Sequence, residues 1–305
     1  MEASRRDTGP VAPGARRSVL ILVASLAACS LNKPAATIPF SSLSQAIVAD
    51  MKAFEQTLGV EATKAFLRYS DGQRAVYRCY FTSMLELPES YAGLHLASGN
   101  ETGCSVDEKK YDVFFYPVEV VASGASPVTP ALADAPLERI LVVVPHEDFH
   151  NQAEARGSSP EIAEAAATLI GFLTATEFAR NQYGERSQAF QNLNREAGLF
   201  LQKAKLVNRY HDKVSDLYSS LRSRRITRQG ALVKKQELFA SLGQECATLT
   251  PDPVSFNKCP AALNNAGLAF DSTYTRQYPA MFDLYQQLGG DTRATILSLR
   301  RLLAT

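Results

Sequence analysis

Along most of the chain the apolar positions recur at steps of three and four, the period of a helix with one buried face. Leu43, Ile47, Met51, Phe54 and Leu58 keep this spacing and predict a helix within Ser41–Leu67. The middle third changes character. Ala75–Phe81 and Tyr111–Val121 are rich in Val, Phe and Tyr and are bounded by Gly, Pro and Asn, the signature of strands with loops between them. Ser123–Pro136, with its prolines and a glycine, predicts a loop. Beyond Ile140 nearly everything is helical. Phe190, Leu193, Ala197, Phe200, Ala204, Val207, Tyr210, Val214, Leu217 and Leu221 make one amphipathic helix, about 50 Å long at 1.5 Å per residue. Gln229–Leu242 follows Arg224 and Arg225 and can fold back on it as a helical hairpin, either structural or a lid or partner-binding arm. The pattern predicts a mainly α protein with a small β region, of the α+β class, and shows no internal repeat.

The N-terminal pattern is different. Arg16 and Arg17 precede an apolar run, Val19–Ala28, which at about ten residues has signal-peptide length and falls short of the roughly 20 needed to cross a bilayer. The run ends in Leu26-Ala27-Ala28-Cys29, which resembles the bacterial lipoprotein box. The expected organisation is therefore a lipoprotein signal peptide over 1–28, a lipidated Cys29, and a tether over 29–40 containing Pro34 and Pro39. A single domain over 41–305 follows, with an N-terminal α/β part (41–139) and a helical part (140–305). Such a protein faces the periplasm from the bacterial cell envelope, and Ser30 after the cysteine argues for the outer membrane.

Composition narrows the function classes. Hydrophobic residues make up 46% and charged residues 21%, an ordinary globular balance. The net charge is +1, and removal of residues 1–28 takes away four arginines and two acids, leaving −1. A near-neutral surface has no basic excess for a phosphate backbone, so nucleic acid is excluded as a partner. Of the five cysteines, four remain after Cys29. Local pairing of Cys79 with Cys104 and of Cys246 with Cys259 gives two disulfides in an oxidising compartment, the alternative being buried free thiols.

The chemistry centres on His146-Glu147-Asp148-Phe149-His150, an H-E-x-x-H pattern that uses two of only four histidines. On a helix, i and i+4 lie one turn apart on one face, so both imidazoles can reach one zinc ion, with Glu147 placed as general base toward a water. Three protein ligands leave the fourth zinc position for water. The third ligand follows from helix capping. In Ser158-Ser159-Pro160-Glu161, Ser158 is the expected N-cap and Glu161 the capping-box partner, which gives Glu161 a structural task. Glu164 sits one turn on, and Ala167, Thr168, Gly171 and Ala175 on its side are small enough to admit a second helix closely, so Glu164 is the expected ligand and Glu177 the reserve. Pro145 opposes a helix through His146, and the spacing predicts that the metal helix begins at Pro145, with Leu141–Val144 extended.

These residues resemble a family, the predicted zinc aminopeptidases of bacteria, small gluzincin-like lipoproteins. The resemblance rests on Pro145 through Gln152, on Glu164 with Ala167-Thr168, and on Leu263-Asn264-Asn265-Ala266-Gly267-Leu268 through Tyr274, Pro279 and Leu288-Gly289-Gly290-Asp291. It covers most of residues 110–305. The family usually has Gln directly after the second His, where this chain has Asn151, and lacks a proline before the first. The resemblance implies a zincin-like metallopeptidase domain, with a helix pair binding one Zn2+ through His146, His150 and Glu164. It also implies Glu147 as catalytic base and a peptide substrate. Tyr274 is the candidate donor to a developing oxyanion, or else a half-buried core tyrosine. Asn264 and Asn265 either line the cleft or bond backbone. His95 and His211 lack partners at ligand spacing and read as structural or solvated. Against the zinc peptidase stand a non-catalytic lipoprotein scaffold with structural or vestigial zinc, and zinc hydrolysis of something other than a peptide.

Overall fold

A computed structural model describes residues 42–70, 72, 76–118, 124–155, 157–249 and 258–304. The expected signal peptide (1–28), Cys29 and the expected tether (29–40) lie outside the described residues. The first helix, α1 (Ser42–Thr57), stops ten residues short of the predicted end at Leu67. Gly59, at φ 99°, is the reason. Its N–H donates to Gln56 O at 3.1 Å and that of Val60 to Glu55 O at 3.2 Å, the paired bonds of a Schellman turn that only a residue free of a Cβ enters cheaply.

The two predicted strands are present as β1 (Val76–Ser83) and, after two further strands, β4 (Tyr111–Val118). Between them lie β2 (His95–Asn100) and β3 (Gly103–Cys104), which the pattern did not mark. The sheet is antiparallel with order β3-β2-β1-β4, and Arg78 of β1 stands between Ser98 of β2 and Tyr116 of β4. The Cys79–Cys104 disulfide passes over β2 at Gly99, where a Cβ would come within 3.0 Å of the Cys79 Sγ. In the stretch expected to be a loop, Pro130–Ala133 forms a short helix, α2, with Thr129 accepting from the Leu132 N–H at 3.2 Å.

The next helix corrects an expectation. α3 runs from Leu137 to His150 with Pro145 inside it. The missing N–H and the clash cost about 3 kcal/mol, but Ile140, Leu141, Val142, Val143 and Val144 are all buried by keeping the helix, each contributing roughly 1.5–3 kcal/mol. Burial wins, and the turn ahead of the proline stays helical. α4 (Pro160–Tyr183) is apolar on nearly all sides because α3 covers one flank and α5 (Gln188–Arg222) another. α4 is long and apolar enough to cross a membrane by composition, but most of its apolar window is buried within this fold.

The predicted hairpin is present. α5 and α6 (Arg228–Ala247) bury Val207, Tyr210, Val214 and Tyr218 against Ala231, Phe239 and Leu242, and Ser187 and Thr227 cap their starts. A Cys246–Cys259 disulfide ties the end of α6 to the segment before α7 (Asn265–Thr275). α8 (Tyr278–Gln287) and α9 (Thr292–Leu303) complete the mainly α fold. Two buried ion pairs join these layers. Lys203 of α5 meets Asp271 of α7 at 2.7 Å, and Lys235 of α6 meets Asp112 of β4 at 2.5 Å.

Candidate metal centre

α3 and α4 approach closely because α4 presents small side chains to α3. Ala167, Thr168, Gly171 and Ala175 are all buried. At Gly171 the fit is tightest, since a Cβ there would lie 2.8 Å from the Val142 carbonyl oxygen and 3.3 Å from His146 Cβ. This approach puts three donors together. His146 Nε2 and His150 Nε2 are 3.2 Å apart, and Glu164 Oε2 is 3.3 Å from the first and 3.1 Å from the second.

The donor set fits a zinc-type ion. A tetrahedron with edges of this length has its corners about 2.0 Å from its centre, the Zn–N and Zn–O distance. Two imidazoles and one carboxylate also make the ligand chemistry that borderline divalent metals accept. Burial opposes ionisation of Glu164, but His150 and His146 outweigh it and hold the carboxyl well below the usual range. Burial likewise disfavours a charged His150, yet the Glu164 and Glu147 carboxylates raise it to about 9. For His146 burial dominates and lowers the value. Without a metal the ionised Glu164 carboxylate is thus balanced by a proton on His150, which leaves when that imidazole coordinates an ion.

Glu147 is pushed up to about 7, chiefly by burial, with Glu164 adding and His150 opposing. A carboxyl in that range can take and return a proton near neutrality. Its backbone carbonyl accepts from Asn151 Nδ2 at 3.0 Å, and Asn151 Oδ1 accepts from the Gly124 N–H at 3.0 Å. Asn151 therefore closes the end of α3 and links it to the segment after β4. On the opposite side of α3, Asp148 is fully buried. It accepts from Thr63 Oγ1 at 2.5 Å and pairs with Lys52, which fixes α3 against α1 and the turn that follows.

The expected capping box does not form, and the N-cap side chain makes no cap bond. Ser159, not Ser158, is the N-cap, with Pro160 at the first helical position, a fit for its missing N–H. Glu161 is one residue too early for the box. Its carboxylate, although burial opposes ionisation, is lowered by hydrogen bonds from Ser90, its own backbone N–H and Ser159. Glu177 pairs with Arg180 at 2.9 Å toward the far end of α4 and is not among the three clustered donors.

Tyr274 of α7 packs half-buried on Phe270, 5.4 Å between ring centres. Burial first, then the Glu164 charge, raise its hydroxyl well above the usual range, so it is a neutral donor near that carboxylate. Asn264 and Asn265 resolve to backbone bonding. Asn264 caps α7 and donates to Val113 O at 2.8 Å, while Asn265 donates to Met84 O at 3.1 Å and accepts from Tyr218 Oη at 2.9 Å. His95 stacks on Phe81, and buried His211 lies 3.2 Å from the Pro88 carbonyl oxygen. One neighbour escaped the sequence reading. Tyr91, in a short 3-10 turn (Tyr91–Gly93), donates from its hydroxyl to Glu164 Oε1 at 3.2 Å. No spacing rule could have found it, since 73 residues separate the pair.

No curated protein and no solved structure matches the chain. The family model described as "Putative aminopeptidase" matches residues 121–305. That span is more than half of the chain and holds α3 to α9, with Glu147 and all three converging donors. By that match the chain belongs to the "Putative aminopeptidase" family.

Proposed function

We propose that this protein is a zinc-dependent peptidase, with His146, His150 and Glu164 as ligands. The observation that carries the reading is the convergence of three donors at tetrahedral edge lengths inside a chain of an aminopeptidase family. A zinc ion, when bound, supplies Lewis acidity, polarising a carbonyl and acidifying water. Glu147 accepts the proton of the attacking water and returns it to the departing amine, a task its position near neutrality suits. Tyr274, kept un-ionised by burial and by Glu164, donates to the substrate oxygen as negative charge develops there. The Cys29 thiol carries the lipid that tethers the domain to the outer membrane on its periplasmic side.

The test is zinc stoichiometry measured beside hydrolysis of a peptide library with free and acetylated N termini. Glu147→Gln keeps one zinc and loses activity, and His150→Ala loses both. Glu164→Gln binds zinc more weakly, whereas Glu161→Gln keeps it. Zinc retained in Glu164→Gln but lost in Glu177→Gln reassigns the third ligand. Wild-type protein that holds zinc tightly and hydrolyses no library member would instead be a scaffold.

A further inference from the structure

Tyr91 lies ahead of the family-matched residues, on a segment whose own sequence gives it no reason to approach α3 or α4. Three contacts bring it there. Ser90, next to Tyr91, is buried and lies close enough to the Glu161 carboxylate at the start of α4 to help hold it ionised. The Tyr91 backbone N–H donates to Thr273 Oγ1 of α7 at 2.9 Å. The Tyr91 ring sits among aromatics, 6.2 Å from Tyr80 and 6.1 Å from Phe270 between ring centres. Backbone and ring are thus held from three sides before the hydroxyl is considered.

That hydroxyl divides the two oxygens of Glu164 between two tasks. Oε1 accepts from Tyr91 Oη at 3.2 Å, while Oε2 alone stands within 3.3 Å of both histidine nitrogens. A carboxylate with both oxygens free can swing between them, and fixing one removes that freedom before any ion arrives. We propose that Tyr91 is a positioning residue for the third ligand: its hydroxyl anchors Glu164 Oε1 so that Oε2 is presented to the metal. The inference rests on the metal-site reading above and adds to it a residue from outside the matched region.

The test uses the full chain, loaded with zinc or with cobalt(II) as a spectroscopic probe, and compares Tyr91→Phe with wild type. Phenylalanine keeps the ring packing and removes only the hydroxyl. Zinc affinity, read by competition with a chromophoric chelator, is expected to fall ten- to a hundredfold, the range typical of lost partners to ligands. The visible cobalt bands shift as well, which a purely structural role for the ring would not produce. An affinity within twofold of wild type, with unchanged bands, overturns the proposal. His150→Ala separates the two levels: if it abolishes zinc binding while Tyr91→Phe leaves binding intact, the metal site stands and the positioning role falls. If wild type binds no zinc, or His150→Ala binds as wild type does, both fall. Should Tyr91→Phe not fold, Ser90→Ala loosens the same turn with the hydroxyl retained. It is expected to weaken zinc binding in the same direction, and unchanged binding there overturns the proposal equally.

Discussion

Replacing Gly171 by alanine probes the contact on which the whole centre depends. A Cβ at this position meets the Val142 carbonyl oxygen at 2.8 Å and His146 Cβ and Val142 Cγ1 at 3.3 Å each. The closest of these is backbone inside a helix with a buried face, so it cannot turn aside. Relief requires α3 and α4 to separate by about 0.5 Å, and overpacking of this kind costs roughly 1–3 kcal/mol. Alanine returns about 1 kcal/mol through its higher helix propensity. The expected net loss is about 1 kcal/mol, or roughly 1.5 °C in melting temperature for a chain of this size. The same movement carries His146 away from Glu164, and about 0.5 Å is the tolerance of a preorganised site, so zinc affinity should fall about tenfold. Gly198→Ala in α5 is the control, because nothing lies within 4 Å of its added Cβ. There the propensity acts alone and the protein should gain up to about 1 kcal/mol. Urea unfolding of the apoprotein and chelator competition measure the two effects. If Gly171→Ala is stabilised as much as Gly198→Ala and binds zinc as wild type does, the close approach of α3 and α4 is refuted.

Three further outcomes are expected. Lys203→Met leaves Asp271 charged in a site where both side chains are nearly inaccessible, at 3% and 0% exposure; it should destabilise by about 3–5 kcal/mol, with part recovered in Lys203→Met/Asp271→Leu, by urea denaturation. Glu55 is raised well above its ordinary 4.5 by burial and then by the neighbouring Asp148 carboxylate, against the pull of Lys52. The stability of the protonated form is fully present below pH 4.5 and is lost as pH climbs through the raised folded value, so the advantage of Glu55→Gln over wild type should widen above pH 4.5, and a pH-independent difference would contradict this. Cys29→Ala should release the protein from the membrane fraction, and equal recovery of mutant and wild type there would remove the lipid tether from the proposal.

Much of this architecture is written locally. Three- and four-residue spacing marks α1, α5 and α6, because a helix buries one face wherever it packs. The i, i+4 spacing of His146 and His150 sets them on one face of α3 by helix geometry alone. The small residues from Ala167 to Ala175 foretell a close neighbour, since only short side chains let two backbones approach. The helical start and stop points were less accessible. α1 ends at Gly59 because two backbone bonds form there, and α3 continues through Pro145 because five neighbouring apolar side chains gain more from burial than one proline costs. His95–Asn100 lacks the branched and aromatic residues of a strand and becomes one only by pairing with β1.

What surrounds the centre belongs to the tertiary structure. Lys52 reaches Asp148 across 96 positions, and Tyr91 reaches Glu164 across 73. Neither pair leaves a periodic trace in the sequence. A local pattern reports which face of an element is buried, because that depends on residues three or four apart. It carries no record of which distant side chain will fill the space beside that face. Hence the sequence by itself placed Glu147 and the three donors on two helices, while the packing of the short turn at Tyr91 against α4 and α7 brought a distant hydroxyl to one oxygen of Glu164, with the other facing the histidines.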